Sequence, residues 1–435
     1  MNKFKGEILK TKTVSVWGIG YLGYTEIMRL VSKGFKVNVF DFTNTEAGKN
    51  LKRNSYPGIH QIYAWTESGH IPPVDLSKVS VVKADEMFKS KVHIVALPTA
   101  DREGNSLLTK LADLFKKHKD ALKNALVVFE SAGMPGSIDK NFIEILRKEN
   151  IKCNFASAFR SDWTVEEFMS QKKRRVLAAN DSESLEKVEA LYEILGIGYK
   201  TLSSIKEAEI YENAKNSFQF VTSTFINQLA FAYPDTNIRR MTKYLLNDVE
   251  LNESHLSIGA GGYKMLSSVQ NIMGGSGNPN FLSLLKVAED TNMGMILNYA
   301  EMIKKMGCAN AVLMGLSIKG NQKNIELSPS VVLAEYLNKS GVKVYIDDPF
   351  YTAEGLSKIL PFAKRADIFK NPAKVDALFV MTAHSKYRAI TQEEIDRSPI
   401  YNAAVIIDNV PIFKEFKFSN ATTYHAIGDG QLKAL

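Results

Sequence analysis

Two glycine-dense stretches carry the residues of this chain best placed to do chemistry. In VSVWGIGYLGY, Gly18, Gly20 and Gly23 have the spacing GxGxxG, and Asp41 follows about twenty residues later. Glycines at this spacing permit a tight turn and bring a pyrophosphate close to exposed N–H groups at a helix start. In GAGGYKMLSS, residues 259–268, three glycines within four positions deliver Tyr263 and Lys264. Glycine here lets backbone approach a partner, and a lysine amine beyond it can give a proton, bind phosphate or point to solvent. The seven histidines lack HxxH or HExxH spacing and the two cysteines are far apart, so no metal site is expected.

The elements that must position these residues follow from pattern. VSVW reads as a strand, YTEIMRLVSKG as an amphipathic helix closed by glycine, and KVNVFDF as a second strand. A strand before the glycines, a helix after them and an acid ending the next strand make a βαβ dinucleotide fingerprint. Asp41 can accept from both ribose hydroxyls and repels a 2′-phosphate, which favours NAD(H) over NADP(H). Lys49 and Arg53 keep NADP open. The strands KVHIVALPTA, ALVVFESAGMPGS and IKCNFASAF continue a parallel sheet. Pro98 and Thr99, Glu130 and Ser131, and Phe159 with Arg160 fall at its carboxyl edge, where such sheets bind ligands.

An uninterrupted helix is expected from about 206 to 231, then a loop-rich stretch from 234 to 285. A second α/β unit follows, with NAVLMGLSIKG, VKVYIDDPF, DALFVMTAHSKY and AAVIIDNV as buried strands. Its first turn lacks GxGxxG, so it should hold something other than a dinucleotide. The expected fold is α/β: two Rossmann-like doubly wound domains joined by a long central helix. The expected boundaries are 1–203 for the cofactor domain, 204–305 for a central helical region and 306–435 for a substrate domain.

The 435-residue chain is 45% hydrophobic and 23% charged, with a net charge of +8 spread along its length. That balance fits a globular protein whose ligand is small and phosphorylated; no signature of nucleic-acid binding accompanies it. No apolar run has the length of roughly 20 residues that a membrane span needs, and two cysteines fit a reducing compartment. A cytoplasmic protein without membrane or nucleic-acid partners is expected.

Over almost its whole length the chain resembles the UDP-glucose/GDP-mannose dehydrogenase family. GIGYLG with Asp41, ALPTA, ESAGMPGS, AEIYENAKNSFQFVTSTFINQLA, GAGGYKMLSS and GLSIKGNQKNIELSPS carry the resemblance, together with VYIDDP and VIIDNV. It implies NAD in the first domain, bound by Gly18, Gly20, Tyr21, Leu22, Gly23, Asp41, Pro98, Thr99, Glu130 and Ser131. It implies a nucleotide diphosphate sugar in the second, with Phe159, Arg160, Gly259, Gly261, Gly262, Tyr263 and Lys319 as substrate contacts, and a homodimer formed through the central helices.

The departures bear on the reaction. Family members trap an aldehyde on a cysteine of the glycine loop and so oxidise CH2OH to carboxylate in two hydride transfers. Here that position is Lys264, and the family's oxyanion-steadying helix lysine is Glu212, while Asn216 one turn on is retained. A lysine imine would oxidise to an amide that water does not readily cleave. The expectation is therefore a single two-electron step in precursor synthesis for a surface polysaccharide, either reduction of a keto-sugar nucleotide or alcohol oxidation. Lys264, Glu212 and Asn216 are the candidate catalytic residues. Two alternatives stay open: a thiol-free four-electron 6-dehydrogenase, and a non-redox epimerase or inactive binding homologue.

Overall fold

A computed structural model describes residues 4–42, 75–98, 106–160, 174–248, 256–321, 323–369 and 374–431. The chain divides into two compact units, one of residues 1–214 with 271–277 and one of residues 215–270 with 278–435.

In the first unit, a short helix α1 (Lys5–Thr11) precedes β1 (Thr13–Trp17), α2 (Tyr21–Ser32) and β2 (Lys36–Phe40). β1 is buried over four of its five residues, and α2 ends where Gly34 takes φ +89. Then come β3 (Val79–Val81), β4 (Val92–Val95), α3 (Leu107–Lys117), β5 (Leu126–Phe129), β6 (Asn154–Phe159), β7 (Arg175–Ala179), α4 (Ser182–Leu195) and β8 (Tyr199–Leu202). Asp181 caps α4 by accepting from Ser184 N at 2.8 Å, and Gly196 (φ +72) closes it. The eight strands run β3-β2-β1-β4-β5-β6-β7-β8, so the first six have the dinucleotide-binding order. An apolar layer lies on each face, around Ile27, Leu30 and Leu191 on one and around Trp17, Phe115 and Phe142 on the other. β4, β5 and β6 continue the parallel sheet as expected, and β7 then pairs with β6 antiparallel, Phe159 opposite Val176. Periodicity could not tell, because a strand buried on both faces reads the same in either direction.

The long helix α5 (Ile205–Ala232) has 28 residues, and the division between units falls inside it. Beyond it the expected loop-rich stretch is in fact substantially helical, with α6 (Ile238–Asp248) and α7 (Tyr263–Gly274) before α8 (Ser283–Lys305). Asn237 Oδ1 accepts from Arg240 N at 2.8 Å at the start of α6. The rest of the second unit is β9 (Asn310–Met314), α9 (Pro329–Lys339), β10 (Lys343–Asp347), β11 (Lys364–Arg365), β12 (Ala377–Val380), β13 (Val405–Asp408) and β14 (Thr423–Ala426), with short helices between the later strands. Its six strands are all parallel in the order β11-β10-β9-β12-β13-β14, the strand order of the first unit repeated.

Candidate active site

β1 delivers Gly18 at φ +102. Gly18 N donates to Phe40 O at 2.8 Å and Ile19 N donates to Asp41 Oδ2 at 2.7 Å, which ties the turn to the end of β2. A Cβ on Gly18 would lie 2.7 Å from Ala96 O, and one on Gly23 would lie 1.9 Å from Gly18 O. Those two glycines are required by protein packing. Gly20 differs: among the described residues a Cβ there would meet nothing within 4 Å. Gly20 is also the N-cap of α2, which has no side-chain cap and no acid in its first turn. An uncapped helix start beside open space is what a diphosphate needs, because its N–H groups and dipole favour an anion. The residues therefore fit NAD: Gly18, Gly20, Leu22 and Gly23 form the turn, Asp41 follows β2, and Pro98 and Ser131 lie beyond β4 and β5. When bound, NAD supplies or takes a hydride.

Several expected contacts fall elsewhere. Glu130 follows β5, but its carboxylate turns into the core, where Oε1 accepts from Tyr192 Oη at 2.8 Å and lies 3.6 Å from Arg175 Nη2. Burial, and then the neighbouring Glu26, push Glu130 up to about 8 against the pull of Arg175 and Arg160. Phe159 is fully buried in the core layer. Arg160 is buried and donates to α2. Thr99 and the side chains of Tyr21, Tyr263 and Lys264 lie outside the described residues.

In the second unit the glycine stretch is packed against protein. A Cβ on Gly259 would lie 2.6 Å from Ile296 of α8, and one on Gly261 would lie 2.3 Å from Pro329 of α9. Gly262 has φ +106 and donates to Leu327 O at 3.0 Å, while Asn292 exchanges two hydrogen bonds with Ala260. α7 then begins, with Lys264 in its first turn. Ser268 of α7 is buried and accepts from Asn216 Nδ2 of α5 at 3.1 Å. Glu212, one helical turn before Asn216, is only 5% exposed.

The segment after β9 that carries Lys319 is fixed at several points. Gly315 takes φ +95, and Leu316 N donates to Asp348 Oδ2 at 2.8 Å. Thr382 Oγ1 donates to Ser317 O, and Gly320 backs onto Ala383 O, where a Cβ would stand 2.1 Å away. Asn321 N donates to Nδ1 of the buried His384 at 2.9 Å. An accepting Nδ1 puts the ring proton on Nε2, which faces Asp348 Oδ2 at 3.4 Å. Sequence reasoning missed His384 and the role of Asp348. An acid ending the second strand of the unit, as Asp41 does in the first, is the signal that could have found the latter.

The two thiols are both at the wrong edge. Cys153 directly precedes β6 and Cys308 precedes β9, hence the amino-terminal edges of their sheets, opposite to where such sheets bind ligands. Burial pushes Cys153 up to about 12 and raises Cys308 as well. Among the described residues no group of three His, Cys, Asp or Glu could hold a metal, and no helix is long and apolar enough to cross a membrane.

Residues 12–196 match the NAD binding domain of the UDP-glucose/GDP-mannose dehydrogenase family, and residues 312–415 match its UDP binding domain. UDP-N-acetyl-D-mannosamine dehydrogenase of Methanococcus aeolicus is 24% identical, over 88% of this chain and 87% of that one. UDP-N-acetyl-D-glucosamine 6-dehydrogenase of Pseudomonas aeruginosa is 22% identical, over 89% and 94%. Among solved structures, a UDP-D-ManNAc dehydrogenase from Pyrococcus horikoshii shares the fold with a TM-score of 0.75 at 20% identity, over 96% of this chain and 100% of that one. The two matched domains lie on the two sheets whose turns are described above, and the chain thus belongs to the UDP-glucose/GDP-mannose dehydrogenase family, NAD-dependent oxidoreductases that act on nucleotide sugars.

Proposed function

We propose that this protein moves a single electron pair per turnover, interconverting an alcohol and a carbonyl on a nucleotide diphosphate sugar. The observation that carries the reading is the position of the thiols. Oxidation to a carboxylate through a thioester needs a thiolate at the reacting carbon, whereas both cysteines lie at amino-terminal strand edges with raised pKa. Lys264 and Glu212 occupy the positions where the family resemblance puts the thiol and the oxyanion-steadying lysine. In the reducing direction the Lys264 ammonium gives its proton to the carbonyl oxygen as hydride reaches the carbon. In the oxidising direction the neutral amine takes the hydroxyl proton. Glu212 orients Lys264, and Asn216 steadies the α7 helix through Ser268. Gly259, Gly261, Gly262 and Tyr263 lead the chain to the sugar, and Lys319 meets the substrate's diphosphate. The setting by resemblance is precursor synthesis for a surface polysaccharide.

A homodimer through the central helices is part of the same proposal. Phe218 and Phe225, seven residues apart on α5, are 60% and 52% exposed, and Phe281 just before α8 and Leu284 and Val287 at its start are exposed as well. Large apolar side chains exposed on these helices are what a protein–protein contact would cover.

The names of the relatives favour a second reading, the four-electron 6-dehydrogenase. Product stoichiometry separates the two. The purified enzyme, supplied with NAD and a panel of UDP-sugars or with NADH and keto-sugar nucleotides, should turn over one cofactor per substrate and yield no sugar acid by mass spectrometry. Two NADH per substrate with a uronate product would establish the alternative.

A further inference from the structure

The first unit buries four ionisable side chains, Glu26, Glu130, Arg160 and Arg175, in one cluster. The antiparallel pairing of Phe159 with Val176 places Arg160 and Arg175 side by side at the next position outward. Both guanidinium groups are almost wholly buried, as are the carboxylates of Glu26 and Glu130. Arg175 Nη2 meets Glu26 Oε2 at 3.1 Å, so that arginine has its counter-charge on α2. Arg160 does something else. Its nearest approach to Glu130 is 4.0 Å, and Nη1 instead donates to Leu22 O at 3.0 Å and to Thr25 Oγ1 at 2.5 Å. Thr25 Oγ1 in turn donates to Leu22 O at 3.0 Å, which closes a triangle on the first turns of α2.

That helix start is the one with no side-chain cap. Its N–H groups are held ready for an anion only if something else fixes the turn, and preorganised donors bind more tightly than donors that must be ordered on binding. We infer that Arg160 is a positioning residue for NAD. It pins the carbonyl side of the α2 first turn from within the core, so that the opposite, N–H side meets the cofactor diphosphate in a fixed geometry. Its buried positive charge adds to the field of the helix start. This differs from the substrate contact expected of Arg160 from the resemblance, and it rests on the NAD site alone, independent of which sugar is used or how many electrons are moved.

The test is NADH binding by the full-length protein, measured by calorimetric titration well below the thermal transition of each variant. Losing a charge-assisted hydrogen bond in Arg160→Met should weaken NADH about tenfold or more, and Arg160→Lys should recover part of the loss because the charge is kept. Thr25→Val, which removes one acceptor and no charge, should weaken NADH several-fold and decides the matter should Arg160→Met fail to fold. In turnover the KM for NAD should rise with the KM for the nucleotide sugar unchanged. A residue that merely stabilises the fold would lower the thermal midpoint and leave the NADH dissociation constant alone. An unchanged NADH dissociation constant in folded Arg160→Met, or in Thr25→Val if that is the only folded variant, overturns the inference. So does a rise confined to the KM of the sugar.

Discussion

Gly20 and Gly23 belong to one motif, yet the structure gives them opposite reasons to be glycine. Alanine substitutions should separate the two. Gly20 has φ −73 and ψ −169, which any L-residue adopts, and among the described residues a Cβ there meets nothing within 4 Å. Alanine is a poorer N-cap than glycine by about 1 kcal/mol, while a stiffer unfolded chain returns about 0.4–1 kcal/mol. The unliganded fold should therefore lose almost nothing. The same methyl group stands in the space a diphosphate must enter, and overpacking of about 1–3 kcal/mol corresponds to roughly 5- to 150-fold weaker binding. At Gly23 the Cβ would be 1.9 Å from Gly18 O, and real Cβ atoms are essentially never closer than 3.0 Å to anything. The start of α2 would have to retreat by more than an ångström. That strain should cost about 1–3 kcal/mol or more, with a midpoint shift of about 2–4 °C per kcal/mol for a unit of this size.

Scanning calorimetry with and without saturating NADH reads both effects at once, because a ligand that binds only the folded state raises the midpoint. Gly20→Ala should match wild type without NADH and lose most of the NADH-induced rise. Gly23→Ala should be lower in both conditions. A full NADH-induced rise in Gly20→Ala would refute the reasoning, since the open space at Gly20 would then not be where the diphosphate lies.

Replacing both cysteines, as Cys153→Ala with Cys308→Ala, should leave kcat within about twofold, and iodoacetamide should not inactivate the native enzyme; loss of turnover on alkylation would revive a thiol route. Lys264→Met and Glu212→Gln should each lower kcat by roughly 100-fold with NADH binding retained; wild-type rates in both would end their catalytic assignment. If the proposed dimer forms through α5, Phe218→Glu with Phe225→Glu should lower the sedimentation coefficient to that of a monomer in analytical ultracentrifugation, whereas an unchanged sedimentation coefficient would count against dimerisation through α5. Glu130 and Glu209 are pushed by burial to about 8 and about 7 from an ordinary 4.5, so the folded chain holds protons that the unfolded chain has released. Stability should accordingly fall as pH rises from about 4.5 towards 8, and Glu130→Gln should flatten the upper part of that decline in a thermal-melt series.

The GxGxxG turn could be read from sequence because everything it needs is local: a strand, three glycines, a helix start and an acid one strand later. The α5 helix was legible for the same reason, as an uninterrupted pattern. α6 and α7 were not: Pro234, Asp235 and Asn237 read as a turn although Asn237 caps α6, and the glycines on either side of α7 read as loop. Arg160 was misread because its partners, Leu22 and Thr25, lie more than 130 residues earlier in the chain. The glycines before Lys264 looked like an approach to ligand, yet two of them are required by Ile296 and Pro329, which only tertiary packing brings to them.

The two sheets share strand order and also a turn. Gly18 and Gly315 both take positive φ after the first strand of their unit, and the next N–H, of Ile19 or Leu316, donates to an acid after the second strand, Asp41 or Asp348. The units diverge at the helix that follows. In the first, α2 begins three residues after Gly18 with no side-chain cap, so its N–H groups remain for a diphosphate. In the second, α9 begins only at Pro329, and Ser328 both accepts from Ser330 N and donates to Leu316 O, so the protein satisfies its own helix start. A dinucleotide laid against that second turn would find a capped helix start in place of open donors. The same strand order thus carries an uncapped helix start in the first unit and a self-capped one in the second. The absence of GxGxxG from GLSIKG is the trace that this leaves in the sequence.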